Sequence, residues 1–132
     1  LAMMFISHDL RVVKHLCDRI VVMYLGQVME DAPSDLLFSH PRHPYTRALI
    51  GSIPAKPGEK TKFTKTEKTE ESEANEEVVP FRVLEGEIPS PTNPPQGCPF
   101  RTRCEKAQEQ CKIQPPLAQM TDGRLVACHF PY

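Results

Sequence analysis

"FISHDLRVVKHLCDRIVVMYLGQVME", residues 5–30, carries the reading on which the fold depends. The apolar run "MMFIS", 3–7, has the length and composition of a buried parallel strand. It ends at Ser7-His8-Asp9, where Ser7 or Asp9 can cap a helix. Leu10, Val13, Leu16 and Cys17 then recur at spacings of three and four, one face of a helix. "RIVVMYLGQVMEDA", 19–32, gives two strand-like runs about Gly26, which is a hairpin signal even though Leu-Gly is not the best turn pair. Pro33-Ser34-Asp35 opens a short helix through Phe38, and "HPRHP" at 40–44 breaks it. Tyr45 to Ile53 reads as a further helix that Pro54 stops. Strand, helix and strand with short connections argue for an α/β fold in residues 1–54.

Beyond that block the chain changes character. Residues 55–77 hold five Lys and seven Glu around one large apolar side chain, Phe63. Such a stretch buries too little apolar area to offset the entropy of ordering it, so it reads as a flexible charged linker, with an exposed charged helix as the alternative. Residues 78–132 form a second unit: "VVPFRVLEGEI" suits one or two short strands, "PSPTNPPQG" is a proline-ruled extended segment, and a cysteine-bearing tail follows. With few large hydrophobes, that tail needs a disulfide, a metal or a partner to hold it.

Composition narrows the function classes. The 132 residues carry a net charge of −1, which offers no argument for nucleic acid or an anionic membrane. No apolar run is long enough to span a bilayer, and no signal-peptide pattern is present. The chain begins at Leu1, inside an apolar run, as a piece of a longer protein does.

Of the five cysteines, Cys17 lies on the apolar helix stripe and reads as a buried, inert thiol. The others are spaced Cys98-x5-Cys104-x6-Cys111-x16-Cys128. Zinc knuckles usually pair cysteines two to four residues apart, and none of these gaps does. Disulfides suit a small loop-rich unit in an oxidising compartment. An iron–sulfur cluster accepts looser spacing, because four thiolates reach the corners of a larger cubane. Arg101, Arg103, Lys106 and Lys112 are positioned to offset its charge, and His129 is a substitute ligand. His15 reads as exposed, and His40 and His43 as loop punctuation rather than a metal pair. Tyr45 is expected to pack its ring on the α/β body with its hydroxyl wet.

Residues 5–30 resemble the end of the nucleotide-binding domain of an ABC transporter, where a strand ends in the switch histidine and Asp-Leu opens a helix. "HPRHPYTRALIGSIP", 40–54, with "LEGEIPSPTNPPQGCPFRTRC", 84–104, resembles the C-terminal extension of the oligopeptide/dipeptide importer ATPases, in which His43-Pro44-Tyr45 matches a hallmark. The resemblance covers nearly all of the chain except the linker. It implies the C-terminal part of an ABC-type nucleotide-binding domain followed by a small irregular cysteine-rich domain. His8 would contact the γ-phosphate and help hold the attacking water, with Asp9 a structural cap. Cys98, Cys104, Cys111 and Cys128 would ligate a [4Fe–4S] cluster, structural or redox-sensing, while ATP and Mg belong to the intact parent only. The implied partners are a second ATPase subunit, membrane permease subunits and an extracytoplasmic peptide-binding protein, at the cytoplasmic face of a prokaryotic membrane.

The departures from the family pattern limit this reading. The phosphate loop, the signature sequence and the strand ending in Asp-Glu are not in these residues, so the chain alone is not expected to hydrolyse ATP. Ala32 stands where relatives commonly have a glycine. The alternative is a non-enzymatic, zinc- or cluster-stapled module for association or regulation. A secreted disulfide protein is the weaker third reading, since five cysteines leave one odd.

Overall fold

The computed structural model describes residues 1–53, 84 and 86–132. The linker reading of 55–77, the strands expected at 78–83 and the stop at Pro54 lie outside the described residues.

Helix α1, Leu10–Leu16, starts where Asp9 accepts hydrogen bonds from the backbone N–H groups of Arg11 and Val12. Ser7 Oγ in turn accepts from Asp9 N–H at 3.0 Å. The apolar stripe is narrower than its spacing suggests: Val13 is buried and Cys17 half-buried against the core, but Leu16 is 65% exposed. Strands β1, Arg19–Tyr24, and β2, Gln27–Pro33, pair antiparallel as the expected hairpin. Leu25 (φ +46°) and Gly26 (φ +78°) both adopt the left-handed backbone that a tight two-residue hairpin turn requires. Helix α2, Ser34–Ser39, follows β2 directly, and α3 is Pro44–Gly51. Pro44 sits in the first turn of α3, where a missing N–H costs nothing. His43 Nδ1 accepts from Tyr45 N–H at 3.0 Å and caps the helix.

Two expectations are corrected. Residues 1–6 form no strand; Leu1, Met3, Met4 and Ile6 are exposed, and no described strand pairs with them. The sheet is also wholly antiparallel. Its order is β1-β2-β4-β3, with β3 at Ala118–Gln119 and β4 at Leu125–Val126. The cysteine-bearing residues thus add two short strands to the sheet that the N-terminal hairpin begins.

A bulge in β2 prepares this junction. Val22 pairs with Glu30 but Met23 pairs with Val28, which leaves Met29 as the extra residue. The slip puts two consecutive residues, Met29 and Glu30, out of water. The Met29 carbonyl accepts from Ala127 N–H at 2.9 Å, continuing the contact between β2 and the tail.

Apolar packing forms two clusters. Ile20, Val22, Ala32, Leu37, Phe38 and Ile50 centre the first, around α2 and α3. Tyr24, Met29, Phe100, Cys98 and Cys111 centre the second. Tyr45 touches both, so its ring packs on the body as expected. Its ring centroid lies 4.7 Å from that of Tyr24 and 5.2 Å from that of Phe100.

A buried charged node centres on Glu30. Glu30 accepts from Arg42 N–H at 3.0 and 3.2 Å and from His43 N–H at 2.8 Å. Arg124 lies 3.4 Å from the same carboxylate, and its guanidinium also donates to the His40 carbonyl. Arg124 Nε stands 2.8 Å from Asp122 Oδ2, an ion pair by distance without an aligned hydrogen bond. Glu30 and Arg124 are 0% and 1% exposed at the side chain. One carboxylate thus ties β2, the loop before α3 and the C-terminal tail together.

Candidate metal centre

The four tail cysteines reach one place by four local devices. Gly97 (φ +80°) passes so close to the 3₁₀ turn Glu109–Lys112 that a Cβ would stand 2.4 Å from the Cys111 carbonyl oxygen. That approach lets Cys98 N–H donate to the Cys111 carbonyl at 2.9 Å, which locks two of the thiol-bearing residues side by side. Pro99 stiffens the next step and Phe100, 1% exposed, anchors it in the second apolar cluster. Successive turns, Arg101 N–H to Cys98 O, Arg103 N–H to Phe100 O and Ala107 N–H to Cys104 O, curl the chain around Cys104. Cys128 arrives from β4, held by the bond from the preceding Ala127 to Met29.

All four side chains line a single pocket, together with His43, Pro44, Arg101, Lys106, Pro115, His129 and Phe130. Cys17 is not among them and packs on the first cluster instead. Of the four basic residues, Arg101 and Lys106 line the pocket. All four have partners of their own: Arg101 Nε donates to the Gln96 carbonyl at 2.7 Å, Lys106 Nζ stands 3.6 Å over the Tyr132 ring, Arg103 donates to the Leu84 carbonyl, and Lys112 pairs with Glu109 at 2.7 Å. Both ring nitrogens of His129 have partners, Nε2 with the Ile113 carbonyl at 3.0 Å and Nδ1 with Gln110 at 3.3 Å, so it is held away from a ligand's task.

The thiols sit in a protonating environment. Burial pushes Cys98 and Cys104 upward, and pushes Cys128 up to about 11. Backbone N–H groups work in the opposite direction: those of Phe100 and Arg101 stabilise the Cys98 thiolate, that of Lys106 serves Cys104, and Phe130 N–H lies 3.4 Å from Cys128 Sγ. Left alone, Cys98, Cys104 and Cys128 are neutral at pH 7, and a metal that took them as thiolates would displace their protons. The N–H groups already aimed at sulfur then become charge-assisted bonds.

Four sulfurs are the donor type that both structural zinc and iron–sulfur clusters take. Among the described residues, no three Cys, His, Asp or Glu donors converge as a single metal ion requires. Sulfurs round one zinc stand about 3.8 Å apart, as a tetrahedron with 2.3 Å bonds demands. A cubane takes ligands at four wider corners. The space enclosed between the thiols is about 10 Å³, so the side chains must spread to admit anything larger than a water. The four thiols supply the number and chemical type of donor that a cluster takes, but the space between them as they stand does not hold one.

His8 belongs to a different surface. It is exposed, directly before the α1 cap, and lines no part of the cysteine pocket. His15 and His40 are exposed, as their spacing suggests. His43 is not mere loop punctuation: it is completely buried, and burial lowers its pKa to about 4, although the neighbouring Ala127 carbonyl raises it somewhat. Sequence reasoning missed this residue, as it missed Glu30 and Arg124. The one available signal was a glutamate inside an apolar strand, where a carboxylate must find donors.

The chain matches the profile of the family described as the C-terminal region of oligopeptide/dipeptide transporters, over residues 29–78 and 72–111. It is 46% identical to a probable peptide ABC transporter ATP-binding protein of Sinorhizobium fredii, over 98% of this chain and 32% of that protein. A putative oligopeptide transport ATP-binding protein of Bacillus subtilis is 45% identical, over 98% and 35%. A dipeptide transport ATP-binding protein of Haemophilus influenzae is 43% identical, over 97% and 34%. The chain spans about a third of the length of these curated relatives.

Proposed function

Since the chain belongs to the family of the oligopeptide/dipeptide transporter C-terminal region, we propose that it is the C-terminal part of the ATP-binding subunit of a peptide-importing ABC transporter, and that its four tail cysteines hold a [4Fe–4S] cluster. The first part rests on family membership and on relatives that are ATP-binding proteins of peptide transport. The second rests on one observation: four thiols from distant positions line one pocket.

In this reading residues 1–54 close the nucleotide-binding domain, 55–77 link, and 78–132 form the accessory unit. His8 donates a hydrogen bond to the terminal phosphate of ATP and keeps the attacking water in line, which is positioning rather than covalent chemistry. Asp9 fixes the backbone on which His8 stands, through its cap on α1. ATP and Mg are bound by the whole subunit, which pairs with a second ATPase subunit and docks on membrane permeases at the cytoplasmic face. No described helix is long and apolar enough to cross a membrane.

The cysteine unit works through what it fastens. Cys98 and Cys104 lie on the turns after Gly97, Cys111 on the 3₁₀ turn, and Cys128 two residues beyond β4. A cluster bound to all four supplies a covalent cross-link between these segments and a one-electron redox couple. The cross-link sits beside α3 through His43 and Pro44, so it supports the loop that the Glu30 node also holds.

The test is anaerobic purification or reconstitution of the chain, with visible absorption and iron, sulfide and zinc content measured together. About four irons and four sulfides per chain, lost on Cys→Ser at 98, 104, 111 or 128, are expected. One zinc and no sulfide would replace the cluster with a structural zinc staple, and no metal at all would end the metal reading.

A further inference from the structure

The space between the four tail thiols is about 10 Å³, room for a water and nothing larger. Anything that is to reach the inner sulfurs must therefore move a wall of the pocket. Cys98 and Cys111 are that inner pair, each 7% exposed. The walls differ in how they are held. Phe100 is fully buried beside Cys98, and Gly97 lies against the backbone of Cys111 and Lys112. His43 is buried as well, with its N–H bonded to Glu30 at 2.8 Å. Neither wall gives way without breaking the interior.

Residues 129–132 are built otherwise. None of the four is buried and none belongs to a helix or strand. Phe130 lines the pocket and packs on the apolar cluster that holds Cys98 and Cys111. On one side of it the segment is fastened around Cys111: His129 Nε2 donates to the Ile113 carbonyl at 3.0 Å, and Nδ1 lies 3.3 Å from Gln110 Nε2. On the other side Tyr132 fastens it near Cys104. The Tyr132 hydroxyl donates to the Glu105 carboxylate, while Lys106 Nζ and Arg47 Cζ stand 3.6 and 4.2 Å from the ring centroid. Tyr132 N–H donates to the Arg42 carbonyl at 2.9 Å, and Arg42 Nη1 donates back to the Tyr132 carbonyl. Cation–ring contacts that reach water are individually modest. A segment held by such contacts opens locally, far more often than the whole fold unfolds.

We infer that residues 129–132 form a strap that closes over Cys98 and Cys111, and that release of Tyr132 is the step that admits a thiol-directed reagent to them. Attack on these two sulfurs by an electrophile or an oxidant is then governed by the opening of the strap. The inference concerns access to the thiols and does not rest on the cluster reading above.

The test is iodoacetamide labelling of the reduced whole chain, stripped of metal, read residue by residue by mass spectrometry. In that reaction the thiolate displaces iodide and a C–S bond forms. Cys17, packed on the other apolar cluster, is the internal reference. Tyr132→Ala removes both cation–ring contacts and the bond to Glu105. It is expected to speed labelling of Cys98 and Cys111 about tenfold while Cys17 keeps its rate. Arg47→Ala takes away one cation that is not part of the pocket lining, and about threefold is expected. Amide hydrogen exchange on the unsubstituted chain needs no variant. Tyr132 N–H is expected to exchange at least about tenfold faster than Ala127 N–H, which is bonded to Met29 beside the sheet. Unchanged labelling of Cys98 and Cys111 in both variants overturns the inference. So does a rise at Cys17 in step with theirs, which marks loosening of the whole fold, and so does equal exchange at Tyr132 and Ala127. Each of those results leaves the metal reading to be decided by iron, sulfide and zinc content.

Discussion

Removing the Glu30 carboxylate tests how the tail is attached to the sheet. Glu30→Ala strips the partner from two buried backbone N–H groups, those of Arg42 and His43, and from one edge of the Arg124 guanidinium. Each orphaned donor costs about 1–3 kcal/mol, and breaking a buried ion pair from one side costs about 3–5 kcal/mol in all. Arg124 keeps Asp122 and the His40 carbonyl, which limits its share of the loss. The sum expected for Glu30→Ala is about 4–5 kcal/mol, a large fraction of the roughly 5–15 kcal/mol that holds a domain together. Arg124→Met should cost less, about 3 kcal/mol, because Glu30 retains both backbone donors. Urea denaturation followed by circular dichroism gives both values from the midpoints. A loss below about 1 kcal/mol for Glu30→Ala, or the reverse ranking of the two variants, would refute the claim that this carboxylate is the tail's anchor.

Two further outcomes follow from particular groups. Gly97→Ala places a methyl 2.4 Å from the Cys111 carbonyl oxygen in a left-handed backbone, so the Cys98–Cys111 bond must open; iron uptake should fall with it, whereas Gly26→Ala, with nothing within 4 Å, should leave uptake intact and cost only about 1–2 kcal/mol of backbone strain. His43 is neutral when folded, with a pKa of about 4 against 6.5 unfolded. The stabilisation this gives is complete above pH 6.5 and lost as pH falls toward 4, because the unfolded chain takes the proton first. At 1.36 kcal/mol per unit the loss is about 3 kcal/mol. Chemical denaturation of the metal-free chain between pH 7 and pH 4 measures it, and His43→Asn should flatten the profile.

Much of this was legible from local patterns and little from the long-range ones. The hairpin about Gly26 and all three helices are written in short-range signals: alternation, Asp9 before an apolar stripe, and Pro44 after a break. The four cysteines could be read as one site only by the family resemblance, since no spacing rule joins Cys111 to Cys128. The "MMFIS" run has strand composition, but a strand exists only where a neighbour supplies hydrogen bonds, and no described strand does. Leu16 obeys the helical period yet faces water, because periodicity tells which residues share a face and not whether anything covers it. The Glu30–Arg124 pair was invisible for a simpler reason. Its members stand 94 residues apart, and neither charge is distinctive in sequence.

That same separation sets an expected order of folding. The β1–β2 hairpin closes through a two-residue turn, an event of microseconds. The β2–β4 pairing must first close the long loop between Asp31 and Leu125, and such closure entropy is met before any contact rewards it. Each doubling of loop length adds only about 0.6 kcal/mol, so length changes between the two pairing segments are tolerated while the delay remains. The hairpin and α1–α3 are thus expected to assemble early and the tail to dock last. Cys128, two residues beyond β4, joins the other three thiols only at that final step. Until Cys128 has been made and docked, the complete thiol set does not exist.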